Sequence, residues 1–133
     1  MIHKISLSTH TRVEFQDITG KVKEIVKSSG VQSGVCYVFV PHTTAAVMIN
    51  EHADPDVVED IAAQLELIAP QSNKYLHREG NSPAHIKASL IGDSKIIFIE
   101  EGRLVLGEWQ GIFFCEFDGP RPRSLMIKVV ADK

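Results

Sequence analysis

The sequence predicts an α+β domain with antiparallel strands, and three observations carry that prediction. A strongly capped helical segment begins at Asp54, a continuous apolar run spans residues 35–40, and short strand-like segments separated by glycines follow residue 94. Helices are therefore embedded among strands, with no regular strand–helix alternation of the kind that builds parallel βαβ units.

Taken in order, residues 2–9 alternate loosely, with Ile5 and Leu7 set against Ser6 and Ser8, as a strand does. Residues 17–30 read as a helix: Ile18, Val22, Ile25 and Val26 share a face, and Gly30 ends it. The uninterrupted run at 35–40 predicts a strand buried on both faces. Residues 45–50 form a further strand, with Val47 and Ile49 on one side and Met48 and Asn50 on the other. The next helix is the best marked. Asp54 caps it, Pro55 suits its first position, and Asp56, Glu59 and Asp60 load the positive end of its dipole. Val58, Ile61, Ala62, Leu65 and Ile68 make its apolar stripe, and Pro70 stops it. Residues 70–81 are polar loop, and Ser82-Pro83 opens a short helix running to about Leu90, with Gly92 as its stop. Strands are expected near 95–100, 103–106, 109–117 and 124–131.

The chain has 133 residues, 44% hydrophobic and 23% charged, with a formal net charge of −3. That balance describes one domain spanning 1–133, long enough to bury a core without staples. The charge excess is acidic, which argues against bulk capture of nucleic acid. No segment has the apolar length of a membrane span, and the first residues do not read as a signal peptide. Cys36 and Cys115 each sit in an apolar run, so the reading is of reduced core thiols in a cytoplasmic protein. Six histidines are the compositional oddity.

Polar residues gather in three places that packing alone does not explain. The first is Pro41-His-Thr-Thr-Ala45, followed by Asn50-Glu51 and Asp54. His42 stands where a strand leaves the core, a position from which a rigid element aims a side chain. A histidine merely capping the strand end is the competing reading. Asp54 is accounted for by capping, whereas Asn50 and Glu51 close an apolar strand where ordinary turn residues would serve.

The second cluster runs from Tyr75 to His85. His77 and His85 with Glu79 between them form a metal half-site that His42 would complete, because imidazole and carboxylate suit divalent transition metals. A solvated polar loop is the alternative. The helix start at Ser82-Pro83 offers backbone amides to a phosphate or carboxylate, with His85 beside it. The third cluster holds Trp109 and Gln110 between two glycines, then Arg121 and Arg123 after a tight turn. The indole is either packing or a ligand platform, and the two arginines either clamp a phosphate or lie in a solvated turn. His52 is a further ligand candidate, while His3 and His10 read as surface.

Several chemistries are excluded. The chain has no Walker loop, no Gly-x-Gly-x-x-Gly after a strand, no His-Glu-x-x-His and no Gly-x-Ser-x-Gly elbow. His77-Arg-Glu79 matches half of a zinc-deaminase signature, but no Pro-Cys-x-x-Cys follows.

Together the three clusters resemble the YjbQ family, small bacterial and archaeal proteins described as having a secondary thiamine-phosphate synthase activity. The resemblance rests on Pro41-His-Thr-Thr-Ala45 with Asn50-Glu51 and Asp54-Pro55; then His77, Glu79-Gly80, Ala84-His-Ile-Lys87 and Leu90-Ile-Gly92. It continues through Gly102, Gly107-x-Trp-Gln-Gly-Ile112 and Glu116-Phe-Asp-Gly-Pro-Arg121. The family's usual Gly-Thr-Trp-Gln reads Gly107-Glu-Trp-Gln110 here, which places a charge at Glu108 where a hydroxyl is typical.

The resemblance implies a single α+β domain with a mostly antiparallel sheet, sandwich-like or barrel-like, packed with two to three helices and assembled as a homotrimer. It implies one site in which His42, His77, His85 and Glu51 are catalytic and Thr44, Asn50, Ser82, Trp109, Gln110 and Arg121 bind substrate. His42, His77, Glu79 and His85 would hold a divalent metal, zinc or magnesium, and no organic cofactor is expected. The implied reaction joins a thiazole phosphate to a pyrimidine diphosphate, the thiazole nitrogen displacing pyrophosphate from the pyrimidine CH2. Such a site must stabilise a departing anion. The alternative is a non-catalytic protein that binds a metal or a small phosphorylated metabolite. Neither nucleic acid nor membrane is expected as a partner.

Overall fold

The computed structural model describes residues 1–133. Eight strands and three helices follow one another as β1 (Ile2–Ser8), β2 (Glu14–Asp17), α1 (Thr19–Ser29), β3 (Gly34–Phe39), β4 (Ala45–Glu51), α2 (Pro55–Ile68), α3 (Ser82–Ile91), β5 (Ser94–Glu100), β6 (Arg103–Leu104), β7 (Gln110–Glu116) and β8 (Pro122–Ala131). They form a five-stranded sheet ordered β1-β8-β3-β5-β6 and a three-stranded sheet ordered β2-β7-β4, and every pairing is antiparallel. The α+β class holds.

The two sheets face each other across the main core. Ile5, Leu7, Val38, Ile97, Leu125 and Ile127 of the larger sheet meet Ala45, Val47, Ile112 and Phe114 of the smaller. Helix α1 and the residue that precedes it close this core with Ile18, Val22 and Val26, three residues of the expected stripe. The helix starts two residues later than the sequence suggests, because the Asp17 carboxylate accepts the Thr19 amide at 2.9 Å and holds Asp17 in β2. The Thr19 hydroxyl then accepts the Ile112 amide at 2.8 Å, fastening the helix start to β7.

A second core lies on the outer side of the smaller sheet, where Ala46, Met48, Phe113 and Cys115 meet Leu65 of α2 and Ala84 and Ala88 of α3. Asp54 caps α2 as expected, its carboxylate accepting the Asp56 amide at 2.9 Å. Ile68, the last residue of the predicted stripe, is exposed instead, so the helix buries only its middle turns. Lys87 is buried on α3 and ion-paired to Glu66 of α2, which also accepts from Arg12 at 3.1 Å. Lys87 and His85 lie two positions apart on α3, on opposite faces of the helix. The Lys87 anchor therefore turns His85 away from the packed face.

Two expectations are corrected. Residues 14–16, left without an element by the sequence, and Asp17, expected to open the helix, pair with β7 as β2. The strand at 34–39 is not buried on both faces: its inward residues Cys36 and Val38 are buried, while Tyr37 and Phe39 point to the open side of the larger sheet. No helix covers that side, so the apolar run reflects an uncovered face and not a second layer. Cys36 and Cys115 are free and buried, and burial pushes the Cys36 thiol up to about 11.

Gly34 is required where β3 meets β8, since a Cβ there would stand 2.1 Å from the Val130 carbonyl oxygen. Gly34→Ala should therefore destabilise the fold by about 2–3 kcal/mol, the usual scale for overpacking. A methyl group added at Gly20, early in α1, would meet nothing within 4 Å, and Gly20→Ala should stabilise by roughly 0.5–1 kcal/mol. Urea unfolding of the two variants checks both signs.

Candidate functional site

Where the two sheets meet at one end, an arginine and a glutamate are taken out of water together. Arg123 near the start of β8 is 7% exposed, and Glu116 at the end of β7 is 0% exposed. Each comes from a different sheet, so their pairing ties the sheets together. Arg123 Nε donates to Glu116 Oε1 at 2.7 Å and Nη2 donates to Oε2, a two-pronged contact that suits the planar guanidinium. Nη2 also donates to the Thr44 hydroxyl at 2.8 Å. Glu116 accepts further from the Thr9 hydroxyl at 2.8 Å and the Asp118 amide at 3.0 Å. Only Arg123 Nη1 is left without a partner in the chain.

Above this pair lies a cleft of about 440 Å3 with no hydrophobic residue in its lining. His42, Thr44, His77, Glu79, His85, Arg121 and Arg123 line it together with Asn81 and Asp118. Residues from the strand end after β3, the loop before α3, α3 itself and the β7–β8 turn thus converge. Arg121 is aimed by Asp118, donating to its carbonyl at 2.7 Å and its carboxylate at 2.9 Å, and Asn81 donates to the same carboxylate at 2.9 Å. The other side-chain atom of Asn81, Oδ1, is buried and unpartnered.

His42 Nε2 sits 3.1 Å from both the amide and the carbonyl of Ser124. A neutral ring accepts the amide and carries its proton on Nδ1, while a charged ring donates to the carbonyl. Burial and the neighbouring Arg123 charge hold its pKa below the usual histidine range, favouring the neutral ring near pH 7. The rings of His77 and His85 meet edge to face, with centroids 5.4 Å apart.

The structure divides the expected site. His42, Thr44, His77, Glu79, His85 and Arg121 share the cleft. Asn50, Glu51, Trp109 and Gln110 lie at the opposite end of β4 and β7, where Asn50 is paired with Gly111 and Glu51 with Gln110. Ala45, at the cleft end, faces Glu116 in the same ladder, and six residues of strand span roughly 20 Å. Those four residues are not brought to the cleft within one chain. Asn50 and Gln110 accept nearby backbone amides, from Glu51 and Gly107. His52 is also elsewhere, paired with Asp17 at 2.9 Å. At Ser82-Pro83 the expected anion amides are mostly spent: proline has none, and the Ala84 and His85 amides are bonded to the Asn81 carbonyl.

The expected metal ligands are likewise not gathered into one set within the chain. His42, His77, Glu79 and His85 border one cleft, yet no three His, Cys, Asp or Glu side chains converge closely enough to hold a metal ion. What the sequence reading missed is the floor of the cleft. Glu116 interrupts the apolar run Ile112–Phe117, and an acid within a buried strand signals a buried cation across from it.

Fold and cleft define a small two-sheet α+β protein whose site is polar and lined by histidine and arginine. The chain belongs to the family described as UPF0047 protein YjbQ-like, whose profile matches residues 3–132. A UPF0047 protein of Methanocaldococcus jannaschii is 47% identical over 133 residues, covering 100% of this chain and 96% of the relative. YugU of Bacillus subtilis is 44% identical, covering 98% and 99%. A crystal structure of a family member from Clostridium acetobutylicum superposes with a TM-score of 0.94 at 53% identity, covering 96% of this chain and 99% of that one. A YbjQ-like protein of unknown function from Sulfolobus solfataricus gives 0.96 at 36% identity, covering 99% and 97%.

These relatives are described by family alone or as being of unknown function. The thiamine-phosphate synthase activity expected from the resemblance is corrected accordingly: family membership supplies no such activity, and a metal-assisted form of it lacks its metal site.

The buried pair gives the site a pH signature. Burial alone would raise the Glu116 carboxyl, but Arg123, the Asp118 amide and the Thr9 hydroxyl outweigh it and hold the carboxyl below its ordinary range. A lowered folded value means the stabilisation is fully present above the ordinary carboxylate pKa and is lost as pH falls through the folded one. Urea unfolding between pH 7 and 3 should therefore show a shallower acid loss in Glu116→Gln than in the native chain. Glu116→Ala, which strands the arginine, should cost about 3–5 kcal/mol at pH 7.

Proposed function

We propose that the cleft recognises a small phosphorylated metabolite through its oxyanion. The observation that carries this reading is Arg123: its guanidinium is buried, is locked by Glu116 and Thr44, lines the cleft, and leaves Nη1 without a partner in the chain. Such a nitrogen is oriented before the ligand arrives, so little side-chain freedom is lost on binding. Arg121, aimed by Asp118, supplies a second cation. His42 supplies an Nδ1 proton as a neutral ring and a full charge once an anion draws it up.

Two further features fit this reading. Both thiols are free and buried, which supports a reducing cytoplasmic setting. No helix is long and apolar enough to cross a membrane.

Calorimetric titration with inorganic phosphate at pH 7 tests the site. Phosphate should bind the native chain, and Arg121→Ala should weaken it about tenfold, the scale of one charge-assisted hydrogen bond. Arg121 has a half-exposed side chain, so the variant should fold. Absence of heat with the native chain overturns the proposal.

We also propose that copies of the chain associate, as a homotrimer, through the open face of the larger sheet. Tyr37 of β3 stands directly across from Ile96 of β5, and Val35 from Phe98. Ile96 is 61% and Phe98 66% exposed, with Phe39, Val105 and Val130 exposed around them. A contiguous apolar sheet face of this kind is uncommon on a monomer and typical of an interface. The trimeric count is taken from the family resemblance, and the face from this chain. Light scattering should give three times the chain mass, and Ile96→Lys with Phe98→Lys should give the mass of one chain. A native monomer at micromolar concentration would rule the association out.

A further inference from the structure

We infer that the metabolite carries an apolar body beside its phosphate, and that this body rests on a shelf formed by Tyr75, Leu76 and Ile86. This rests on the oxyanion reading of the neighbouring cleft and names the kind of molecule that would fill both spaces. The shelf lines a second cleft of about 550 Å3, and His77 and His85 belong to both linings. The edge-to-face imidazole pair is thus the boundary between a space lined mainly by polar and charged residues and a mostly apolar one. A single ligand with a charged end and an apolar end matches that division, and either space alone has the size of an ordinary small-molecule pocket.

The shelf is built where the fold gains nothing from it. Leu76 is fully exposed, and Ile86 is partly exposed on the side of α3 away from buried Lys87 and Ala88. Tyr75 is fixed in place, its hydroxyl donating to the Pro70 carbonyl at 2.6 Å. The loop is closed by Gln71, which donates to the Gly80 carbonyl at 2.8 Å. Tyr75 is therefore held next to the two histidines by the loop's own hydrogen bonds, and Ile86 by α3. Lys74 also lines this second cleft and adds a cation to it. The polar cleft would grip any small oxyanion, whereas the shelf selects those attached to a ring or short hydrocarbon.

Calorimetry with inorganic phosphate and phenyl phosphate, on the full chain at pH 7, separates the two ideas. Phenyl phosphate should bind about tenfold more tightly than phosphate, the order expected from burying one ring. Leu76→Ser with Ile86→Ser should erase that preference and leave inorganic phosphate unchanged; circular dichroism confirms that the variant is folded. Equal affinities in the native chain, or a preference that survives the double substitution, overturn the shelf and leave the anion site standing. Failure of both compounds to bind overturns the anion site and the shelf with it.

Discussion

A guanidinium and a carboxylate removed from water cost several kcal/mol each unless they satisfy one another and their remaining hydrogen bonds are filled. Arg123 and Glu116 meet that condition by drawing on both sheets. The arginine belongs to β8 of the larger sheet and the glutamate to β7 of the smaller, with Thr9 following β1 and Thr44 preceding β4. The end of the sandwich is therefore held by charge and hydroxyl, while its centre is held by aliphatic and aromatic packing. Three cleft residues are placed with respect to that pair: Asp118 through its amide to Glu116, Arg121 through Asp118 and Thr9, and His42 through Ser124, the residue after Arg123.

Much of the fold was legible because local chemistry decided it. Asp54-Pro55 marks the start of α2 with a cap and a first-turn proline, and the stripe of α1 predicts the residues that close the main core. The strand order was not legible. The placement of β8 between β1 and β3 depends on ladders that join distant parts of the chain, such as Ile2 with Lys128 and Phe39 with Met126, and no local pattern encodes those. The same limit explains the site. His42, His77 and His85 stand out by residue type and do meet, but Asn50, Glu51, Trp109 and Gln110 stand out equally and lie a strand's length away. Arg123 read as either a phosphate clamp or a residue of a solvated turn, and not as half of a buried pair, because its partner, Glu116, precedes the tight turn and faces inward. The clue was an acid in an apolar strand. The run at 35–40 misled in the opposite sense, since hydrophobic side chains on the outer face can be covered by another copy of the chain as readily as by another layer of the same one.

Membership of the YjbQ-like family fixes the fold across the whole chain and leaves the chemistry to be read from the cleft. The proposed reading of that chemistry is recognition of an oxyanion. The cations are pre-aimed by carboxylates, whereas the histidines and Glu79 do not gather around one point. The imidazole pair stands between polar and apolar surfaces, and α3 is locked to α2 through Lys87 and Glu66 so that His85 keeps its position. The open sheet face belongs to a separate physical problem, the exposure of apolar surface, for which association of like chains is the proposed answer.

Recognition of an oxyanion requires Arg123 to be a receptor as well as a strut. Crystals grown in selenate, a tetrahedral anion whose selenium gives an anomalous signal, address this directly. An anomalous peak is expected in the cleft, with selenate oxygens accepting hydrogen bonds from Arg123 Nη1 and the Arg121 guanidinium. Selenate found only elsewhere on the surface, with Arg123 Nη1 hydrogen-bonded to water, would contradict a receptor role.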